Sequence, residues 1–162
     1  MRRWLILATT HFATLSLGFA AGVYALPILT APPLPDAAAF ASTEAEALYT
    51  GRFERRLEGS DFVHWGEGDV KVSRERIAHI GRLSPGPDYK LYLAPRFAGT
   101  KDAFLAIKNK SRRIGDVKTF NGFIIAVPAD VDVAAFNTVV IWCEAFDRFI
   151  SAAEYRHPSR AS

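Results

Sequence analysis

The sequence predicts an all-β domain, a sandwich or barrel of about seven to nine short, mainly antiparallel strands, preceded by one transmembrane helix. Three observations lead there. A long uncharged apolar run follows Arg2 and Arg3. From Leu48 onward, short β-favouring runs are broken by Gly, Pro and Asn. Asn121-Gly122 lies between two such apolar runs, which is the strongest short-range signal for a hairpin.

The first element occupies residues 1–30. MRRWLILATTHFATLSLGFAAGVYALPIL has no Asp, Glu, Lys or Arg from Trp4 to Leu29. A helix needs about 20 mostly apolar residues to span a bilayer, so this run is long enough. Arg2 and Arg3 should stay cytoplasmic, which sends the rest of the chain across. The expected location is therefore the inner (cytoplasmic) membrane, single-pass, with the N-terminus inside and the domain periplasmic or extracellular. Val23-Tyr24-Ala25 offers small residues for a signal-peptidase cut after Ala25. The apolar run exceeds the roughly 7–15 residues of a signal-peptide core and continues through Leu26, Ile28 and Leu29, which favours an uncleaved signal anchor. Trp4 and Tyr24 sit near its two ends, where interfacial aromatics belong. His11, inside the span, reads as a neutral histidine on a lone helix.

Residues 31–47 form a Pro/Ala-rich linker. Pro32, Pro33 and Pro35 cannot continue a helix and favour an extended spacer. Asp36 can cap a short helix over the alanines that follow, if one forms.

The β domain is expected over residues 48–156, with a polar tail at 157–162. LYTGRFERRLE carries β-favouring aromatics, and GDVKVS alternates Val70 and Val72 against charged neighbours, as a half-buried strand does. RIAHIG alternates imperfectly. YKLYLAP puts Leu91 and Leu93 on one face. DAFLAI and DVDVAAF are single helical turns or loops. In TVVIWC both faces are apolar, so the strand is covered on both sides. Leu91, Leu93, Val139, Ile141, Trp142 and Phe146 are the expected core.

Composition narrows function. Hydrophobic content of 49% and charged content of 23% suit a globular domain, and a net charge of +3 with interspersed signs shows no nucleic-acid stripe. KNKSRR is the one basic cluster and reads as a solvated loop. Cys143 is the only cysteine, so there is no intramolecular disulfide, no Cys-rich metal site and no c-type haem motif. The one Met is the initiator, which removes Met as an axial haem ligand in the domain. Ser84-Pro85-Gly86-Pro87 is a turn rather than a nucleophile elbow, and no acid/base constellation marks a hydrolase or transferase. His64, His79 and His157 are isolated from one another. His64 reads first as a structural histidine bonded to the neighbouring turn, with a ligand or relay role as the alternative. By its neighbours alone, Cys143 is a small core hydrophobe with an inert thiol, and Glu144 beside it should raise its pKa.

In order along the chain, SDFVHWGEGDVKV, SPGPDYKLYLAP, GDVKTFNGFIIAVPADVD and FNTVVIWCEAFDRFISAAEY resemble the DM-thirteen domain, also called the electron-transfer DM domain. The resemblance covers about Tyr49 to Tyr155. Its most specific pieces are Gly86-Pro87-Asp88 followed by Leu91 and Leu93, and the VVIWC-x-x-F block. An anchor before a single such domain resembles the bacterial arrangement. One departure is that relatives often carry polar amides before the Val-Pro, where this chain has Asn121-Gly122-Phe123-Ile124-Ile125. In animals the domain accompanies cytochrome-like DOMON domains.

The resemblance implies electron transfer through the single cysteine, here Cys143, as a bare thiol or through a non-covalently bound haem. On that reading the protein is a membrane-anchored redox module with a redox partner protein, rather than an ordinary enzyme. No metal site and no nucleic-acid partner are expected. The alternative is a non-enzymatic cell-envelope binding or interaction module, with His64, Trp65 and Asp88 lining a shallow site and Cys143 as a structural core residue.

Overall fold

The computed structural model describes residues 1–156. The expected polar tail, 157–162, with His157, lies outside the described residues.

Helix α1 (Arg2–Leu29) runs for 28 residues, is long and apolar enough to cross a membrane, and buries none of its side chains. It ends where the proline-rich segment begins. The Thr30 amide and hydroxyl both donate to the Leu26 carbonyl, at 3.0 and 2.9 Å. Helix α2 (Ala37–Ala45) starts at Asp36, whose carboxylate accepts from the Ala39 amide at 2.8 Å. The helix lies along the domain through Glu44, paired with Lys71 at 3.1 Å, and Ser42, which accepts from Arg76 at 3.2 Å.

Eight strands follow: β1 (Tyr49–Phe53), β2 (Gly66–Val72), β3 (Arg76–Leu83), β4 (Tyr89–Ala94), β5 (Arg112–Val117), β6 (Phe123–Ala126), β7 (Thr138–Cys143) and β8 (Arg148–Glu154). They make two four-stranded antiparallel sheets, ordered β1-β2-β3-β6 and β5-β4-β7-β8. The fold is a β-sandwich, as the strand spacing predicts.

The sheets face each other through Phe53, Val70, Val72, Ile77 and Phe123 on one side and Leu91, Leu93, Val139, Ile141 and Ile150 on the other. The second sheet is covered on its outer face too. Tyr92, Val140, Trp142 and Phe149 pack there under Phe104 and Ile107, which come from α3 (Lys101–Leu105) and the turn after it. All six residues of β7 are buried, which explains its unbroken apolar run. DAFLAI thus supplies a helical turn, and DVDVAAF a short 3-10 turn at Val133–Ala135.

Two expectations are corrected. Asn121-Gly122 does not join a hairpin: β5 pairs with β4 in one sheet, and β6 pairs with β3 in the other. The segment is a crossing between layers. Gly122 takes a left-handed φ of 119°, and its carbonyl accepts from the Thr119 hydroxyl at 2.6 Å. Phe146 is not core. It is 51% exposed, because β7 ends at Cys143 and residues 144–147 turn back into β8, with Asp147 at φ 48°.

KNKSRR is solvated at Asn109, Lys110, Arg112 and Arg113, the two arginines pairing at the surface with Asp130 and Asp116, whereas Lys108 is half-buried, its Nζ 2.7 Å from Glu144 and over the Tyr92 and Trp142 rings.

Candidate functional site

Cys143 is the last residue of β7 and stands opposite Tyr89, the first of β4. Both belong to the inter-sheet core, yet both also line a cleft at that end of the sandwich. The cleft has a volume of about 290 Å³. Its domain side is formed by Val63, His64, Pro85–Pro87, Tyr89, Cys143 and Phe146, and α1 closes it with Phe19, Val23 and Tyr24.

Local geometry builds each wall. The loop with His64 is held by Asp61, whose carboxylate accepts from the Val63 and His64 amides at 2.8 and 2.7 Å. Its second oxygen accepts from His64 Nδ1 at 2.8 Å, fixing the ring. Burial pushes the Asp61 carboxyl up, but the His64 side chain and these amides together hold it below the usual range. The loop is tied to its neighbour twice: the Trp65 amide donates to Ser84 Oγ at 3.1 Å, and the Ser84 amide donates to the Trp65 carbonyl at 2.9 Å. In Ser84-Pro85-Gly86-Pro87 the glycine is obligatory. A Cβ at Gly86 would lie 2.3 Å from the Tyr89 ring. Beyond it, the Asp88 carbonyl accepts from the Glu144 amide at 3.0 Å, tying this turn to the end of β7.

The sulfur is shielded: Cys143 is 2% exposed. Burial pushes its thiol up from the ordinary cysteine value, only partly opposed by the backbone amide of Phe146. The expected contribution of Glu144 is absent. That carboxylate turns to the outer face of the sheet and bonds Lys108 and the Tyr92 hydroxyl. Cys143 is therefore a protonated thiol near neutral pH.

Of the residues singled out by sequence, His64 and Cys143 share the cleft. Trp65 lines a neighbouring cleft of about 400 Å³ with Ile28, Leu34, Arg82 and Phe120, and the Arg55 guanidinium stacks 3.6 Å from its ring centroid. The Asp88 carboxylate pairs with Lys90 at 2.6 Å, and Lys90 also reaches Asp116 at 3.0 Å. The three proposed binding residues thus do not line one common pocket. Among the described residues no group of three or more His, Cys, Asp or Glu could hold a metal ion.

Sequence reasoning missed Tyr89 and the α1 wall. The glycine two residues before Asp88 was the available signal for a ring packed at that spot. Nothing in the apolar run of α1 marks which face meets the domain. It also missed His79, which is fully buried between Phe53 and Phe123, with Nε2 3.0 Å from the Glu67 carbonyl and Nδ1 without a partner.

A family model described as "Electron transfer DM13" matches residues 57–155, more than half of the chain. No curated protein and no solved structure matches the chain.

Proposed function

The chain belongs to the electron transfer DM13 family, and from that premise we propose that it is a membrane-anchored, extracytoplasmic electron-transfer module whose working atom is the Cys143 sulfur. The observation that carries this reading is the position of Cys143: unpaired, at a strand end, where the margin of the inter-sheet core forms the wall of a cleft. In the membrane topology expected from Arg2 and Arg3, α1 is the anchor and the sandwich lies outside the cytoplasm.

Burial keeps the sulfur as a thiol, so it gives up an electron together with its proton. On this reading His64, which lines the same cleft with its ring oriented by Asp61, takes that proton. A haem does not fit these residues. Cys143 is 2% exposed, so its sulfur is closed to an iron ion, and the cleft, at about 290 Å³, falls just short of the roughly 300–1,000 Å³ of small-molecule sites.

The test uses the full-length protein and a one-electron oxidant such as ferricyanide, with loss of the oxidant followed optically. The wild type should deliver electrons, while Cys143→Ala and Cys143→Ser should fold and fail to do so. An Ala variant that reacts as the wild type does would end the redox role of Cys143. Topology is checked separately: protease added from the outside should degrade the domain in cells with a permeable outer layer.

A second reading has its own support. The sulfur's 2% exposure and its place in the inter-sheet core suit a structural cysteine in a cell-envelope interaction module. Native Cys143 that resists thiol labelling, together with a fully active Ala variant, is the result this reading expects.

A further inference from the structure

We propose that the Cys143 end of the sandwich rests on the membrane itself, with Phe62 and Phe146 inserted at the boundary between headgroups and acyl chains beside α1. This rests on the reading of α1 as a membrane span and adds an interaction surface to it.

Four observations converge on this end. Phe62 is 90% exposed and Phe146 is 51% exposed, each on a loop that borders the same cleft. An aromatic ring left this bare at the tip of a loop wants an apolar partner, and exposed apolar surface of this kind marks a protein or membrane contact. The tether then fixes the orientation. Residues 30–36 are the only chain between α1 and α2, and their apolar side chains line a cleft against Trp65, Leu83 and Phe120 of this end. The opposite end, at the β2–β3 turn, is reached only after α2 has run along the domain.

The level also matches. At about 1.5 Å per residue, the 28 residues of α1 span about 42 Å, more than the roughly 30 Å of a hydrocarbon core. Twenty or so residues counted from Trp4 reach the far boundary near Val23 and Tyr24. Those two, with Phe19 and Ala20 one turn deeper, are the α1 residues that face Val63 and Phe146 across the cleft. The loops therefore meet α1 at interfacial depth rather than above the membrane. The occupant of the cleft on this view is phospholipid of the outer leaflet. These loops carry more acidic than basic side chains, with Glu54, Glu58, Asp61, Glu144 and Asp147 against Arg55 and Arg56. The contact is thus apolar and interfacial, without a demand for anionic lipid.

The experiment reads depth at single positions in the full chain, reconstituted in phosphatidylcholine vesicles. In a Cys143→Ala background, Phe62→Cys, Phe146→Cys and Arg74→Cys are each labelled with a polarity-sensitive fluorophore. Arg74 is an exposed residue of the β2–β3 turn. Emission should shift to the blue and be quenched several-fold by nitroxide lipids at 62 and 146, but not at 74. Emission at 62 and 146 that matches 74 would overturn the docking. Should the Ala background fail to fold, a benzophenone amino acid at position 62 with Cys143 intact should crosslink to lipid, and absence of that adduct would count against the proposal equally. Flotation of the same vesicles separates the two ideas. A protein that does not float with them refutes the span. A protein that floats with unquenched labels refutes only the docking.

Discussion

The two sheets of the sandwich solve burial differently. The β1-β2-β3-β6 sheet is covered on its inner face by the second sheet, while its outer face carries only the short α2 over Lys71 and Arg76 and leaves charged pairs such as Arg52 with Asp69, at 2.6 Å, in solvent. The β5-β4-β7-β8 sheet is covered on both faces over β4, β7 and β8, by the first sheet within and by α3 without. The odd residues follow the same division. The first sheet carries a histidine, His79, wholly enclosed in the core. The second carries Cys143 at the end of its inner strand β7, beside a cleft. A sheet left largely open on one side has no need of a continuous apolar sequence, whereas a doubly covered strand excludes charge along its whole length.

The sharpest way to break this contrast is at Trp142, whose indole fills the outer core of the second sheet and is fully buried. Trp142→Ala should cost about 3–5 kcal/mol in chemical denaturation, as large aromatic deletions do. Loss under about 1 kcal/mol would mean that the outer layer is not a core at all.

The next effect belongs to His79 and to pH. Burial drives its pKa down from 6.5 to about 4. The folded state therefore holds a neutral ring while the unfolded chain takes up a proton. The associated stability is complete above pH 6.5 and is lost as pH falls through 4. At 1.36 kcal/mol per unit this amounts to about 3 kcal/mol as an upper limit. Urea titrations at several pH values should show this slope in the wild type and a reduced one in His79→Phe.

A smaller effect is expected at Cys143. Cys143→Ser introduces a hydroxyl that needs a partner, at a cost of order 1–3 kcal/mol. Cys143→Ala should cost less. Equal losses would indicate that the sulfur packs no better than a hydroxyl, and would favour an accessible site.

The smallest belongs to the outward face of the first sheet. Arg52→Ala removes an exposed ion pair and should change stability by less than about 1 kcal/mol, measured by thermal unfolding. A larger loss would show that the charged face does more than stay wet.

Sequence pattern reveals this division only in part. Val70 and Val72 alternating with charges announced one-sided burial, and the unbroken Thr138–Cys143 run announced two-sided burial; both are seen. Strand periodicity says which faces are apolar but not which sheet a strand joins, so Asn121-Gly122 looked like a hairpin and is a crossing. Phe146 looked like core because its residue type was read without the turn that carries it outward. His79 was opaque for a different reason. Its place depends on Gly81 in the same strand, where a Cβ would lie 2.9 Å from its Nε2, and on the closing of Phe53 and Phe123 around the ring. At the candidate site, Cys143 and His64 could be picked out by chemistry, whereas their meeting in one cleft depends on three loops and α1.

The crossing at residues 118–122 has a kinetic consequence. Strands β1, β2 and β3 can zip in sequence as a meander, but β6 joins them only after the chain has visited the other sheet with β4 and β5. There, β4 waits for its second neighbour until β7 emerges. Neither sheet can finish before the other is well advanced, so assembly demands long loop closures before they are rewarded. Refolding should then be slow for a domain of this size, in the millisecond-to-second range of β-sandwiches. During that interval the meander exposes its open β3 edge to any strand nearby, until β6 returns to cover it.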